Sequence, residues 1–315
     1  MANTIFIINT VSPIFLIVII GWTLRKIGVI QEKFIKHSIK FVFNVTLPIL
    51  IFLELAIADF STIFDSGIIT LVYGCMFIVF IIGWVLAKIF IKKGNGRGVF
   101  IQGGFWPNNV IIGLALIMNV FGEVAVSKMV MILVFLIPLD YMLSVIALTI
   151  SDREGKRGEA LFEMIRTIAL NPVIITAIVA IVFSVLRIPI PNVLIDTGNY
   201  IAAITLPLAL IGVGGTMKIK LLKNTSFVTF GALIMKLLIS PLIATSVGYF
   251  IGYTGTDLGI IFIIFACPTA IVSFVLADAM TPHGEIAGNI VLITTLVSAI
   301  TISIGLMVLT YLGLI

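Results

Sequence analysis

Two short stretches decide the fold: residues 105–109 read Phe-Trp-Pro-Asn-Asn, and residues 266–270 read Ala-Cys-Pro-Thr-Ala. Each places a proline, Pro107 or Pro268, inside a long apolar run. Because proline has no backbone N–H and its ring clashes with the preceding turn, we expect each run to be a helix that is broken near its middle. The second half of a broken helix begins with unpaired N–H groups at the positive end of its dipole. The stretches therefore predict two amide-rich helix ends that can hold an anion such as a carboxylate.

The composition is that of a membrane protein. Of the 315 residues 61% are hydrophobic and 10% are charged, whereas soluble domains carry about 45–50% apolar and about 25% charged residues. This excludes a soluble domain, and the two cysteines are too few for a disulfide-stapled secreted module. The net charge of +5 does not indicate a nucleic-acid partner, because the basic residues form short clusters between apolar runs.

The apolar runs predict an all-α membrane protein with ten transmembrane helices, since a helix needs about 20 residues to cross the hydrocarbon layer. The predicted spans are residues 5–24, 39–58, 68–90, 99–119, 127–150, 167–186, 197–217, 226–252, 259–279 and 286–314. Sixteen of the 19 Lys and Arg residues fall in the odd-numbered loops between them. The positive-inside rule therefore predicts a multi-pass plasma-membrane protein with its odd loops in the cytoplasm and both termini outside.

Proline spacing predicts an internal repeat. Three pairs of prolines recur at separations of 159 to 161 residues: Pro13 and Pro172, Pro48 and Pro207, and Pro107 and Pro268. We interpret residues 1–150 and 167–315 as two copies of a five-helix unit, joined by a cytoplasmic connector at 151–166. Because five is odd, the second copy enters the membrane from the opposite face. The result is a 5+5 inverted repeat with broken helices 4 and 9, an arrangement typical of secondary transporters.

Several motifs resemble those of the auxin efflux carrier family, which includes plant auxin carriers and bacterial carriers of small organic acids. They are Pro-Asn-Asn-Val-Ile-Ile-Gly at 107–113, Asn-Pro at 171–172, and Cys-Pro at 267–268 followed by Ser-Phe-Val at 273–275. The resemblance implies a fold related to that of the bile acid symporters. In it, helices 1, 2, 6 and 7 form a scaffold that is often dimeric, and helices 3–5 and 8–10 form a moving transport domain. The short connector favours the bacterial type.

The same resemblance implies secondary active transport of a small organic anion, a mono- or dicarboxylate, by elevator-type alternating access. The residues that it assigns to substrate binding lie in the two broken helices: Asn108, Asn109, Pro107, Pro268, Thr269 and Ser273. Two of the family's common prolines are replaced, by Ala115 and Ser273, which bears on the identity of the substrate more than on the fold.

Two ionisable residues, Asp140 and Lys236, lie in the middle of predicted spans, where a charge is costly and marks a candidate functional group. Two interpretations remain open. They form an ion pair that stabilises the transport domain, or a protonatable Asp140 couples or gates transport through the proton gradient. Glu54 and Asp278 lie nearer to span ends, where hydration is the expected state.

Three alternative functions remain: an anion channel or facilitator that uses the same site, a sodium-coupled symporter, and an intramembrane enzyme. Sodium coupling is less favoured because no carboxylate lies between Phe262 and Ala277, and Na⁺ prefers oxygen ligands. An intramembrane enzyme is likewise less favoured, because the chain has no HExxH, CxxC or phosphate-loop motif. We expect no catalytic residue, cofactor or metal site. The expected partners are the substrate, protons, membrane lipids and a second copy of the chain.

Overall fold

The computed structural model describes residues 2–58, 64–92, 94–152, 162, 165, 166, 169–217 and 226–315. Within these ranges the chain is helical and forms no sheet, which confirms the predicted all-α class. The connector at 151–166 lies mostly outside the described residues, as do the basic residues of the loop at 218–225.

The described residues of the first half of the chain form seven helices. They are α1 (Ala2–Lys26), α2 (Glu32–Phe41), α3 (Leu47–Ile57), α4 (Ser66–Phe90), α5 (Arg97–Phe105), α6 (Leu114–Phe121) and α7 (Glu123–Asp152). Eight follow in the second half: α8 (Pro172–Val185), α9 (Asn192–Ala203), α10 (Thr205–Thr216), α11 (Phe227–Ile234), α12 (Ser240–Ile251), α13 (Gly255–Ala266), α14 (Ile271–Met280) and α15 (Gly284–Tyr311). Single π-helical turns at Val42–Thr46, Asn109–Gly113 and Met235–Ile239 precede α3, α6 and α12.

In the described ranges, six helical stretches are long and apolar enough to cross a membrane. They are Glu32–Ile57, Ser66–Phe90, Glu123–Thr149, Asn192–Thr216, Phe227–Ile251 and Gly284–Tyr311. Three shorter apolar helices, Asn109–Phe121, Pro172–Val185 and Gly255–Ala266, lie in further predicted spans. The shortness of two of them reflects the breaks at Pro107 and Pro268. The count of ten spans and their inverted relation stay predictions.

The two most extensive helix pairings join the halves of the chain: α1 packs along α10, and α3 packs along α8. Glycines bring α1 and α10 backbone to backbone. A Cβ atom at Gly214 would lie 1.8 Å from the Val18 carbonyl oxygen, and one at Gly21 would lie 2.3 Å from that of Ile211. Small residues permit such close approach in membrane helices, and Gly212 and Gly215 of α10 likewise leave no room for a Cβ atom against Ile39 and Ile35.

The remaining long helices surround the two broken ones. α5 packs against α4 and α7, and α13 packs against α12. α15 contacts α14, α11 and α5, so that the last helix touches both halves of the chain. This packing buries the breaks at 106–109 and 267–270 in the interior of the helical assembly.

Candidate functional site

The two broken helices meet at their breaks. α5 ends at Phe105 and α13 ends at Ala266, and each is followed by a short extended segment that contains its proline. The helical path resumes at the π turn beginning with Asn109 and at Ile271, where α14 begins. Both helices are therefore interrupted at Pro107 and Pro268, as predicted.

Backbone hydrogen bonds join the extended segments into an antiparallel bridge. The Asn108 N–H donates to the Pro268 carbonyl at 2.7 Å, and the Ala270 N–H donates to the Trp106 carbonyl at 3.1 Å. These bonds satisfy backbone groups that the prolines leave without helical partners, which a buried chain requires. They also fix the starts of the two second half-helices relative to each other.

The amide side chains of Asn108 and Asn109 are buried at this junction, with 5% and 2% of their surfaces exposed. In the part of the chain that the structure describes, the Nδ2 atoms of both residues and Oδ1 of Asn109 have no hydrogen-bond partner. Because an unpaired buried polar group is costly, the two Nδ2 donors form a place where a ligand carboxylate can be bound, and Asn109 Oδ1 offers an acceptor beside them.

A cavity of about 340 Å³ lies against these asparagines. One wall is the crossing of the broken helices together with α7 and the start of α14, and the other is formed by α2, the π turn after it, the start of α8 and Val213 of α10. Most of the lining is aliphatic or aromatic. The polar or charged side chains that line it are Asn44, Asn108, Asn109, Asp140, Tyr141 and Asn171.

Asp140 and Lys236 are both buried in the interior, with 3% and 0% of their surfaces exposed. The Lys236 Nζ atom donates to the Phe265 carbonyl at 2.9 Å, at the C-terminal end of α13. Among the described residues Asp140 is in no ion pair within 4.0 Å, although its charge and that of Lys236 interact electrostatically. Asp140 lines the cavity, and its Oδ1 has no hydrogen-bond partner among the residues that the structure describes.

Other predicted site residues make hydrogen bonds that stabilise the crossing of the two broken helices. The Thr269 hydroxyl donates to the Gly103 carbonyl at 2.7 Å, and the Ser273 hydroxyl donates to the Ala270 carbonyl at 2.7 Å. Pro268 contributes the carbonyl that accepts from Asn108. Thus the structure brings Pro107, Asn108, Asn109 and Asp140 to the cavity, and Pro268, Thr269, Ser273 and Lys236 lie outside its lining.

Sequence reasoning did not assign a role to several residues of the cavity wall. Asn171 caps α8, its Oδ1 accepting from the Val173 N–H at 2.9 Å, and its Asn-Pro motif was the signal that marked it. The rings of Trp106 and Tyr141 pack edge to face with centroids 5.0 Å apart. No sequence feature marked Asn44 as a cavity residue, because a polar residue near the start of a span is ordinary.

A second, larger cavity of about 880 Å³ lies further along the same helices. Ala115 and Leu210 line it, one helical turn from Ile111 and Val213 of the smaller cavity. The Ser127 hydroxyl of α7 donates to the Glu54 carboxylate of α3 across this region at 2.8 Å. Glu54 is partly buried and lines this larger cavity, so its hydration stays a prediction.

The chain is similar to membrane transport proteins along nearly its whole length. The model of a family described as "Membrane transport protein" matches residues 6–306. An uncharacterized transporter of Methanothermobacter thermautotrophicus is 22% identical over 96% of this chain and 98% of its own length. An uncharacterized transporter of Methanocaldococcus jannaschii is 21% identical over 94% of this chain and 96% of its own length.

Proposed function

Since the chain belongs to the membrane transport protein family, we propose that it is a secondary active transporter of a small organic anion, a mono- or dicarboxylate, in the plasma membrane. The protein binds its substrate at the crossing of the two broken helices and exposes the site alternately to the two sides. The observation that carries this proposal concerns two buried asparagines that border the cavity, Asn108 and Asn109, whose Nδ2 donors have no partner among the described residues.

The chemistry of this site suits an anion. Asparagine Nδ2 donates two hydrogen bonds and carries no charge of its own, so it can bind a carboxylate without repelling it. The π turn at Asn109 and helix α14 both begin beside the cavity, and the starts of helices favour negative charge. Aliphatic side chains make up most of the remaining lining and leave room for an apolar body.

We further propose that the protein has ten membrane spans and is built from two inverted repeats, residues 1–150 and 167–315. The repeat exchanges predicted spans 1 and 2 with predicted spans 6 and 7. Spans 1 and 2 correspond to α1 and α2–α3, and spans 6 and 7 correspond to α8 and α9–α10. The pairing of α1 with α10 and the pairing of α3 with α8 are equivalent under this exchange, and they are the two largest helix pairings. The pairings of α4 with α5 and of α12 with α13 correspond in the same way.

Transport proceeds, in this proposal, by movement of one group of helices past another. The scaffold is α1–α3 with α8–α10, and a second copy binds to it to form a dimer. The transport domain is α4–α7 with α11–α15. The two cavities follow each other along the contact between these groups, and the hydrogen bond from Ser127 to Glu54 crosses that contact. Both termini lie outside the cell.

Coupling to protons is assigned to Asp140. Its carboxylate borders the cavity, while the ammonium group of Lys236 is engaged with the Phe265 carbonyl. Binding an anionic substrate next to an ionised Asp140 brings two negative charges together in a low-dielectric interior, which is unfavourable. A proton on Asp140 removes this repulsion, so that proton and substrate move together.

A thermal-shift screen of the purified protein against mono- and dicarboxylates tests the proposal. We expect at least one carboxylate to raise the unfolding temperature in proportion to the logarithm of its concentration, as ligand linkage requires. The same acid should have a weaker effect on the Asn108→Ala and Asn109→Ala variants. If no carboxylate stabilises the protein, or if both variants respond like the wild type, the site is wrong.

A further inference from the structure

The cavity at the crossing has a second polar feature that binding of a carboxylate does not use. Asp140 Oδ1 is buried and has no hydrogen-bond partner among the described residues, and Asp140 is the only acidic one of them that lines the cavity. The carboxyl group of Asp140 offers an acceptor oxygen both when it is ionised and when it carries the proton assigned to it above. The wall formed by α7 therefore offers an acceptor, whereas the wall formed by Asn108 and Asn109 offers two unpaired Nδ2 donors together with the Asn109 Oδ1 acceptor.

Lys236 does not donate a hydrogen bond to this oxygen. Its Nζ is 2.9 Å from the Phe265 carbonyl, and it lies outside the cavity lining. Tyr141, the next residue along α7, packs its ring against Trp106. Within the described part of the chain, Asp140 Oδ1 thus has no protein donor, and its residue lines a ligand-sized space.

Resting on the proposed function, we propose that Asp140 is a specificity-determining residue that accepts a hydrogen bond from a donor group on the substrate. The cavity then selects carboxylic acids that carry a hydroxyl or ammonium group over the same acids without one. The acid group binds to the asparagine wall, the donor group binds to Asp140, and the aliphatic lining surrounds the carbon skeleton between them.

The size of the cavity limits the substrate class further. Its volume of about 340 Å³ is at the lower end of the 300–1,000 Å³ that is usual for ligand pockets. Compact acids with one short side chain or one ring fit this space. A site that is built to pair a buried polar group discriminates strongly against an analogue that lacks the matching group, because the protein group is then left unpaired.

Matched pairs of acids test the inference on the purified full chain. The probes are 4-hydroxyphenylacetate against phenylacetate, and leucine and 2-hydroxy-4-methylpentanoate against 4-methylpentanoate, with dissociation constants from thermal shifts. In the wild type we expect the donor-bearing acid of at least one pair to bind at least tenfold more tightly. Asp140→Leu should remove the preference and still bind the plain acid. Asp140→Asn, which keeps an acceptor oxygen, should retain most of it.

Asp196→Asn is the matched control, because Asp196 is an exposed carboxylate on α9 outside both cavities, and it should keep the full preference. Equal affinities within every pair in the wild type would overturn the inference, as would a preference that persists in Asp140→Leu. The wild-type comparison decides the question even if the leucine variant does not fold. Binding of no acid at all would instead remove the proposed function on which the inference rests.

Discussion

The backbone N–H of Asn108 donates a hydrogen bond to the carbonyl of Pro268 at 2.7 Å, which ties the break of one helix directly to the break of the other. Residues far apart in the sequence thereby hold each other in the interior. The Nδ2 atom of Asn108, a residue that lines the cavity, has no partner in the described part of the chain. One residue thus joins the two broken helices through its main chain and offers a donor through its side chain.

Replacing Asn108 by alanine should weaken substrate binding by about 1–3 kcal/mol, because a charged acceptor loses a hydrogen-bond donor. The main-chain bond to Pro268 does not depend on the side chain and should persist. The matched control is Asn44→Ala on the opposite wall, because its Nδ2 already donates to the Lys40 carbonyl at 2.7 Å. Isothermal titration with an acid identified in the screen measures both. Equal losses of substrate affinity in the two variants would contradict a specific role of the Asn108 side chain in binding.

Replacing Asp140 by asparagine should abolish uptake driven by a pH gradient and leave exchange of labelled for unlabelled substrate intact. The reason is that asparagine keeps the size and polarity of the side chain but cannot carry a proton. Reconstituted liposomes with an imposed gradient provide the measurement. Uptake that still follows the gradient in this variant would exclude Asp140 as the proton carrier. Loss of folded protein would favour the structural role with Lys236.

Replacing Lys236 by methionine should lower the unfolding free energy by about 1–3 kcal/mol, since the Phe265 carbonyl loses its donor while the packing volume is roughly kept. The control Lys40→Met changes an exposed lysine and should stay within about 0.5 kcal/mol of the wild type. Combination with Asp140→Asn completes a double-mutant cycle that measures the interaction between the two charges. A cycle energy of zero would show that the buried charges are independent.

Replacing Gly214 by alanine should destabilise the contact between α1 and α10 by about 1–3 kcal/mol, the usual cost of overpacking. The new Cβ would lie 1.8 Å from the Val18 carbonyl oxygen, a backbone atom that cannot turn away. Gly74→Ala is the control, because a Cβ at this helical glycine meets no atom within 4 Å. It should be neutral or stabilising by roughly 0.5–1 kcal/mol. Similar unfolding temperatures for the two variants would contradict the close approach of α1 and α10.

Much of the fold follows from local chemistry that the sequence displays. Pro107 and Pro268 interrupt their helices because neither can donate a backbone hydrogen bond, and this holds in any surroundings. The long apolar runs become helices because no other open structure satisfies the backbone in hydrocarbon. The glycines at 212–215 permit close packing because they have no side chain. These features require no knowledge of which segments are neighbours.

Features that depend on distant neighbours were not predictable in the same way. The choice of Phe265 as the partner of Lys236 requires the position of α13 relative to the π turn at Met235–Ile239. The bond from Ser127 to Glu54 depends on how α7 crosses α3. Likewise, Thr269 and Asn108 each directly follow a proline, yet of these two only Asn108 lines the cavity. Sequence spacing places a residue near the crossing but does not say which side it faces.

Counterflow in proteoliposomes tests the central claim most directly. Liposomes containing the protein are loaded with an excess of an unlabelled carboxylate from the screen, and the entry of the labelled acid is followed over time. We expect label to accumulate transiently above equilibrium with the wild type. With Asn108→Ala we expect little accumulation when the substrate concentration is below the raised dissociation constant of the variant. Entry of label that unlabelled acid inside does not stimulate would indicate a channel, and undiminished counterflow in the variant would contradict the proposed site.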